Sequence, residues 1–90
     1  MMKMIQHDKN VQQAFRYVSE TYRCTYDEIL SECRERRLSD ARKHLCYLLT
    51  SIGISQSKIG KLINRHRTAV LYLVKKYEDE QYIKRKINNY

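Results

Sequence analysis

The sequence predicts an all-α fold, a bundle of five to six helices forming a single domain over residues 1–90. Three observations predict it. Proline is absent and glycine occurs only at positions 53 and 60, so few residues interrupt helical backbone. Apolar residues recur at helical spacing, and no stretch shows the period-two alternation of a half-buried strand. Hydrophobic residues make up 42% of the chain and charged residues 31%, a balance that supports one core. A chain of this size buries roughly 60–65% of its unfolded surface. That leaves no room for a cofactor domain beside a substrate domain.

The first helix is expected from about Asn10, as its cap, to Arg23, after a flexible segment 1–8. Val11, Phe15, Val18 and Tyr22 fall on one face. Thr25 with Glu28 three residues later has the form of a capping box opening a short second helix, with Ile29 and Leu30 as its apolar residues. The polar run Ser31 to Arg37 reads as a loop. Ser39 is the expected cap of a third helix reaching about Ile52, with Ala41, Leu45, Leu48, Leu49 and Ile52 inward. Gly53 suits the left-handed residue that ends it. A fourth helix follows Ser55, with Ile54 and Ile59 spaced as a hydrophobic staple and Ile59, Leu62 and Ile63 facing the core. Asn64 ends it. A fifth starts near Arg67 and presents Val70, Leu71, Leu73, Val74 and Tyr77. Ile83 and Ile87 mark a last helix over about 79–89.

Charge is concentrated in the middle of the chain. Residues 34–77 hold eleven basic and two acidic side chains, a sum of +9, whereas the chain as a whole is at +8. The flanking segments sum to −1 over 1–33 and zero over 78–90. Such an excess is what phosphate neutralisation requires. An anionic membrane fits less well, since no segment joins a basic face to a strongly apolar one. The two helices at about 55–63 and 66–78, joined by a tight turn, make a helix-turn-helix. Its second helix would enter the major groove by the residues at its start, Arg65, His66, Arg67 and Thr68. Arginine grips guanine with two donors, and a threonine methyl packs on thymine. Cations at a helix N-terminus are mildly unfavourable unless an anion compensates.

These stretches resemble the C-terminal DNA-binding domain of the DnaA replication initiator, of the Trp repressor-like helix-turn-helix superfamily. Thr25-Tyr26-Asp27-Glu28-Ile29-Leu30 resembles the family's turn after its first helix. Ser31 to Arg37 resembles its basic loop, and Ser39-Asp40-Ala41-Arg42-Lys43 the opening of its long helix. Ser55-Gln56-Ser57-Lys58-Ile59-Gly60 resembles the start of its helix-turn-helix, and Arg65 to Tyr72 its "Arg-Asp-His-Ser/Thr-Thr-Val-Leu-His" signature. The resemblance implies an arginine in the minor groove from the basic loop at 34–37, matched here by Arg34. It implies a groove contact from Arg42, with Lys43 on phosphate. It implies phosphate contacts from Ser55, Gln56 and Lys58, and base reading by Arg65, His66, Arg67 and Thr68. The chain departs from the family at Ile63-Asn64, where the family has two glycines, and at His66, Arg67, Ala69 and Lys43. General DNA binding survives these changes better than reading of the family's standard box.

The function read from the sequence is therefore sequence-specific binding of double-stranded DNA, related to replication-origin or initiator-box recognition. One alternative is a helix-turn-helix transcriptional regulator with an unrelated site. The other is a protein-interaction module, prompted by eight tyrosines, with Tyr82 and Tyr90 placed for a partner and Tyr17, Tyr47, Tyr72 and Tyr77 at the core or its edge. Expected partners beyond DNA are replication or transcription proteins, with the chain a monomer or weak dimer in the cytoplasm, on the nucleoid. No enzyme is expected: no phosphate-binding loop of the Gly-x₄-Gly-Lys-Ser/Thr form is present, so ATP hydrolysis is excluded, and His7, His44 and His66 are scattered. No cofactor or metal is expected. Cys24, Cys33 and Cys46 are odd in number and lack zinc-ligand spacing, which reads as reduced thiols.

Overall fold

The computed structural model describes residues 2–88, with side chains over 9–88. Five helices follow one another: α1 (Met2–Tyr22), α2 (Tyr26–Leu30), α3 (Arg36–Ser51), α4 (Gln56–Ile63) and α5 (Arg67–Asn88). There is no strand among the described residues. No helix is long and apolar enough to cross a membrane.

α3 is the central element and touches each of the other four helices. The reason is its apolar surface, which supplies Leu38, Ala41, Leu45, Cys46 and Leu49, all at 1% exposure or less. Val18 from α1, Ile29 from α2, Ile59 and Ile63 from α4, and Val70 from α5 close the core around it, each fully buried. Burying side chains of this size contributes about 1.5–3 kcal/mol each before entropy is counted.

The ends of the helices are set locally. At α2, Thr25 Oγ1 accepts from the Glu28 amide at 3.1 Å while the Glu28 carboxylate accepts from the Thr25 amide at 2.9 Å. This is the capping box that the sequence predicts. That amide bond, reinforced by Arg37, holds the Glu28 carboxyl below its ordinary range. Gly53 at φ +94° ends α3; its amide bonds to the Thr50 carbonyl and the Ile54 amide to that of Leu49. Those two bonds form a Schellman motif, and the left-handed backbone requires glycine. Ser55 caps α4 by accepting from the Lys58 amide at 3.2 Å. Ile54 and Ile59 are both buried beside it, as a staple requires.

Four expectations need correction. α1 begins at Met2, so Asn10 lies inside the helix and caps nothing; residues 2–8 of the segment expected to be flexible continue it. α3 begins at Arg36, with Glu35 rather than Ser39 as its cap and no side-chain capping bond. The start is pulled forward because Leu38 packs into the core from the first turn. Residues 79–88 are no separate helix but the continuation of α5, since nothing breaks the helix after Tyr77. Tyr17 and Tyr72, expected at the core edge, are 53% and 61% exposed, and Leu71, expected inward, is 51% exposed. Tyr90 lies outside the described residues.

Tyr47 and Tyr77 do sit at the core edge, around an aromatic cluster centred on His44. Tyr77 stacks on the His44 ring at 4.8 Å, and Tyr17 and Tyr22 meet it edge-on. The Tyr22 hydroxyl lies 3.0 Å from His44 Nδ1. Burial lowers the His44 pKa from its ordinary value, so the ring is held neutral.

Candidate nucleic-acid interface

α4 and α5 are joined by a three-residue turn, 64–66. Two features make so tight a turn feasible. Asn64 adopts the left-handed conformation (φ 58°, ψ 49°), which asparagine tolerates better than most residues. Gly60 lets the turn lie directly on α4: a Cβ there would stand 2.5 Å from the Arg65 carbonyl oxygen. The Arg65 amide in turn donates to the Gly60 carbonyl at 2.8 Å. At 63–64, where the sequence departs from the family it resembles, Ile63 is fully buried and Asn64 supplies the left-handed backbone of the turn.

The sequence-predicted site residues divide into two groups. Arg42, Lys43 and Arg65 are engaged inside the protein. Arg42 is only 6% exposed. Its guanidinium donates to four carbonyls: Glu28 at 3.0 Å, and Ile29, Ser31 and Cys33 at 2.8 Å. It therefore folds the segment between α2 and α3 around itself, and burial lowers its pKa. Lys43, also 6% exposed, reaches both oxygens of Glu80 at 3.0 Å and Asp40 at 3.2 Å. It ties α3 to the middle of α5. Arg65 is half-buried and donates to the carbonyls of Leu30, Ser31 and Asn64. Protein groups thus satisfy the charges of these three, which the sequence reading places at DNA.

The second group faces solvent. Arg34, Ser55, Gln56, Lys58, His66, Arg67 and Thr68 are all exposed. Arg42 and Arg65 both donate to the Ser31 carbonyl and so join the basic loop that carries Arg34 to the turn that precedes Arg67; Ser55, Gln56 and Lys58 lie apart from that junction, at the start of α4. An open cleft between the loop and the turn is lined by Glu32, Arg34, Arg42, Asn64, Arg65 and Tyr72. A hollow beside it is lined by Ser57, Lys61, Asn64, His66 and Arg67. The other two arginines of the expected basic loop 34–37 lie in the first turn of α3 instead, where Arg36 pairs with Asp40 and Arg37 with Glu28 and Glu35. Arg37 also donates to the Arg23 carbonyl at the end of α1. Among the described residues no carboxylate pairs with Arg34, Lys58 or Arg67. No acidic residue occurs between Asp40 and Glu78.

Sequence reasoning missed Lys61 and, beyond Thr68, the outer face of α5. Thr68, Leu71, Tyr72 and Lys75 fall at i, i+3, i+4 and i+7 and are all exposed. The signal was available: with Val70, Val74 and Tyr77 inward, a helix must turn 68, 71, 72 and 75 outward. Counting Leu71 with the apolar face concealed it.

The exposed residues form a surface on which a helix N-terminus projects between uncompensated cations, with apolar side chains just behind it. Among the described residues no group of His, Cys, Asp and Glu is assembled to hold a metal ion. No curated protein and no solved structure matches the chain. A family model described as the bacterial DnaA protein helix-turn-helix matches residues 11–76, which span α2, α3 and α4 whole and take in the first half of α5. The chain belongs to this family of non-catalytic DNA-binding domains.

Proposed function

We propose that this chain recognises one double-stranded DNA site, in a role related to replication-origin or initiator-box recognition and without nucleotide hydrolysis. α5 enters the major groove by its first turn, and Arg34 reaches into the neighbouring minor groove. Ser55, Gln56 and Lys58 at the start of α4 hold a phosphate, as helix N-termini do. The observation that carries this reading is the set of cations without a carboxylate ion pair on either side of the turn 64–66: Lys61 and Arg67 line the hollow there, and Arg34 lines the cleft that shares Asn64 and Arg65 with it. Such cations contribute to binding by releasing counterions from DNA. Base discrimination comes from Arg67 and Thr68, phosphate and groove contacts from the rest. The chain acts on the nucleoid, with replication or transcription proteins as its partners.

Fluorescence anisotropy with a duplex holding a DnaA-type box and a scrambled duplex tests this. With three to five phosphates neutralised, log K should fall against log salt with a slope of about −3 to −5. Preference for the box supports the initiator-related role. Equal, salt-sensitive binding supports DNA binding with a different site. Absence of binding to either duplex refutes the reading.

A further inference from the structure

The second half of α5 runs out past the core. Val70, Val74 and Tyr77 mark the inward side of the helix, and every position from Tyr82 to Asn88 is exposed. This part lies outside the residues that the family model covers. Asp79, Ile83, Lys86 and Ile87 fall at i, i+4, i+7 and i+8 and form one strip, on the side away from the core. Around the strip lie an acidic block at 78–80 (Glu, Asp, Glu) and a basic block at 84–86 (Lys, Arg, Lys). The two blocks cannot neutralise each other within their own helix. Ion pairs along a helix join residues three or four apart, and between the blocks only Glu80 and Lys84 are so spaced. Glu80 is already held by Lys43. Lys76, before the acidic block, turns to the Tyr72 ring instead. Among the described residues no ion pair involves Glu78, Asp79, Lys84, Arg85 or Lys86.

Reversed, the strip is complementary to itself. In a second copy laid antiparallel across Ile83, Asp79 of each chain faces Lys86 of the other, twice by symmetry, with the two Ile83 side chains between those pairs. The acidic block of each chain then lies along the basic block of the other. A parallel copy would set acid against acid and base against base. We propose that this strip is a self-association surface and that its occupant is a second copy of this chain, packed antiparallel along the end of α5. The helices overlap over about twelve residues, roughly 18 Å. So short an overlap makes a weak, reversible dimer. The proposal goes beyond the DNA-binding reading and does not rest on it. The first turn of α5 lies at the other end of the same helix, so the dimer carries one such turn at each of its two ends.

The test is sedimentation equilibrium of the full chain without DNA, at about 50 mM salt to keep screening weak and from about 10 μM to 1 mM protein, the range of weak association. The wild-type chain should show a monomer–dimer equilibrium. Asp79→Lys and Lys86→Glu each turn two attractive pairs into two repulsive ones and should raise Kd on the order of tenfold. Mixed in equal amounts, these two variants should associate as well as the wild type, because every like-charge contact becomes an opposite-charge pair. Ile83→Ala should weaken the wild-type dimer and the mixed dimer alike. All three positions are exposed, and circular dichroism melts establish that each variant is folded. A wild-type chain that stays monomeric over the whole range overturns the proposal in favour of an unlike partner on the strip. A dimer indifferent to all three substitutions overturns it by placing the contact elsewhere. A mixture that fails to recover the association lost by each variant overturns the antiparallel pairing. With DNA absent throughout, each outcome is independent of the DNA-binding reading.

Discussion

Replacing Arg42 by lysine separates a structural arginine from a DNA contact. The four carbonyls that Arg42 holds come from Glu28 and Ile29 at the end of α2 and from Ser31 and Cys33 in the loop that carries Arg34. A lysine keeps the charge but presents one nitrogen, so it cannot span four acceptors set out for a planar fork. Water reaches the exposed Cys33 end of the loop and can replace that bond, whereas the Ile29 bond is buried. Counting about two unreplaced bonds to a charged donor at roughly 1.5 kcal/mol each gives a loss of about 3 kcal/mol. For a domain of this size that lowers Tm by about 12–24 °C. Urea denaturation followed by circular dichroism measures the first quantity, and a thermal melt the second. Hydrogen exchange should show lost protection in residues 31–35. Were Arg42 instead a phosphate contact, Arg42→Lys would leave stability within about 0.5 kcal/mol of wild type. Its DNA affinity would then be nearly unchanged, while Arg42→Met lowered the salt slope by about one unit. That pair of results would refute the structural role.

Four further outcomes follow from particular contacts. Lys43→Met leaves the Asp40 and Glu80 carboxylates facing each other without a cation, so stability should fall by about 1–3 kcal/mol in urea melts while the salt slope of DNA binding stays fixed; a slope reduced by one unit at unchanged stability would contradict it. Gly60→Ala forces the Arg65 carbonyl away from α4 and should cost about 1–3 kcal/mol as well as DNA affinity, read by melts and anisotropy together; unaltered values of both would show that the turn has room. His44 has a folded pKa below its ordinary value of 6.5, so the unfolded chain takes up the proton first as pH falls. Stability should therefore be full above about pH 6.5 and decline below it, and His44→Phe should flatten that decline; an identical decline in the variant would point to other groups. Cys33 is exposed, whereas burial raises the Cys24 thiol and pushes Cys46 up to about 12. One thiol should then react rapidly with a disulfide reagent in the native protein and the other two only on unfolding; three equal rates would contradict the burial.

Local chemistry was legible in the sequence, because its partners are near neighbours in the chain. Thr25 and Glu28 form their capping box, Gly53 takes the left-handed position, and Ser55 caps α4, each within a few residues of its partner. The helix-turn-helix and the basic middle segment were legible for the same reason. Helix ends without such signals were not. α1 runs through Asn10 although asparagine is a capping residue, and Leu38 draws the start of α3 forward by packing that only the assembled core provides.

Spacing and composition, which are properties of the chain alone, were enough to read an all-α chain with its positive charge gathered around a helix-turn-helix. Which of those positive charges remain available to DNA was decided by tertiary structure. Arg34, Arg42, Lys43, Arg65 and Arg67 are equally basic on paper. Folding buries Arg42 among carbonyls 9 to 14 residues away, sets Lys43 against Glu80, 37 residues away, and ties Arg65 to Ser31, 34 residues away. Arg34 and Arg67 meet no such partner among the described residues and stay at the surface. A charge removed from water must be compensated by whatever the fold brings beside it, and no reading of local sequence specifies what that will be.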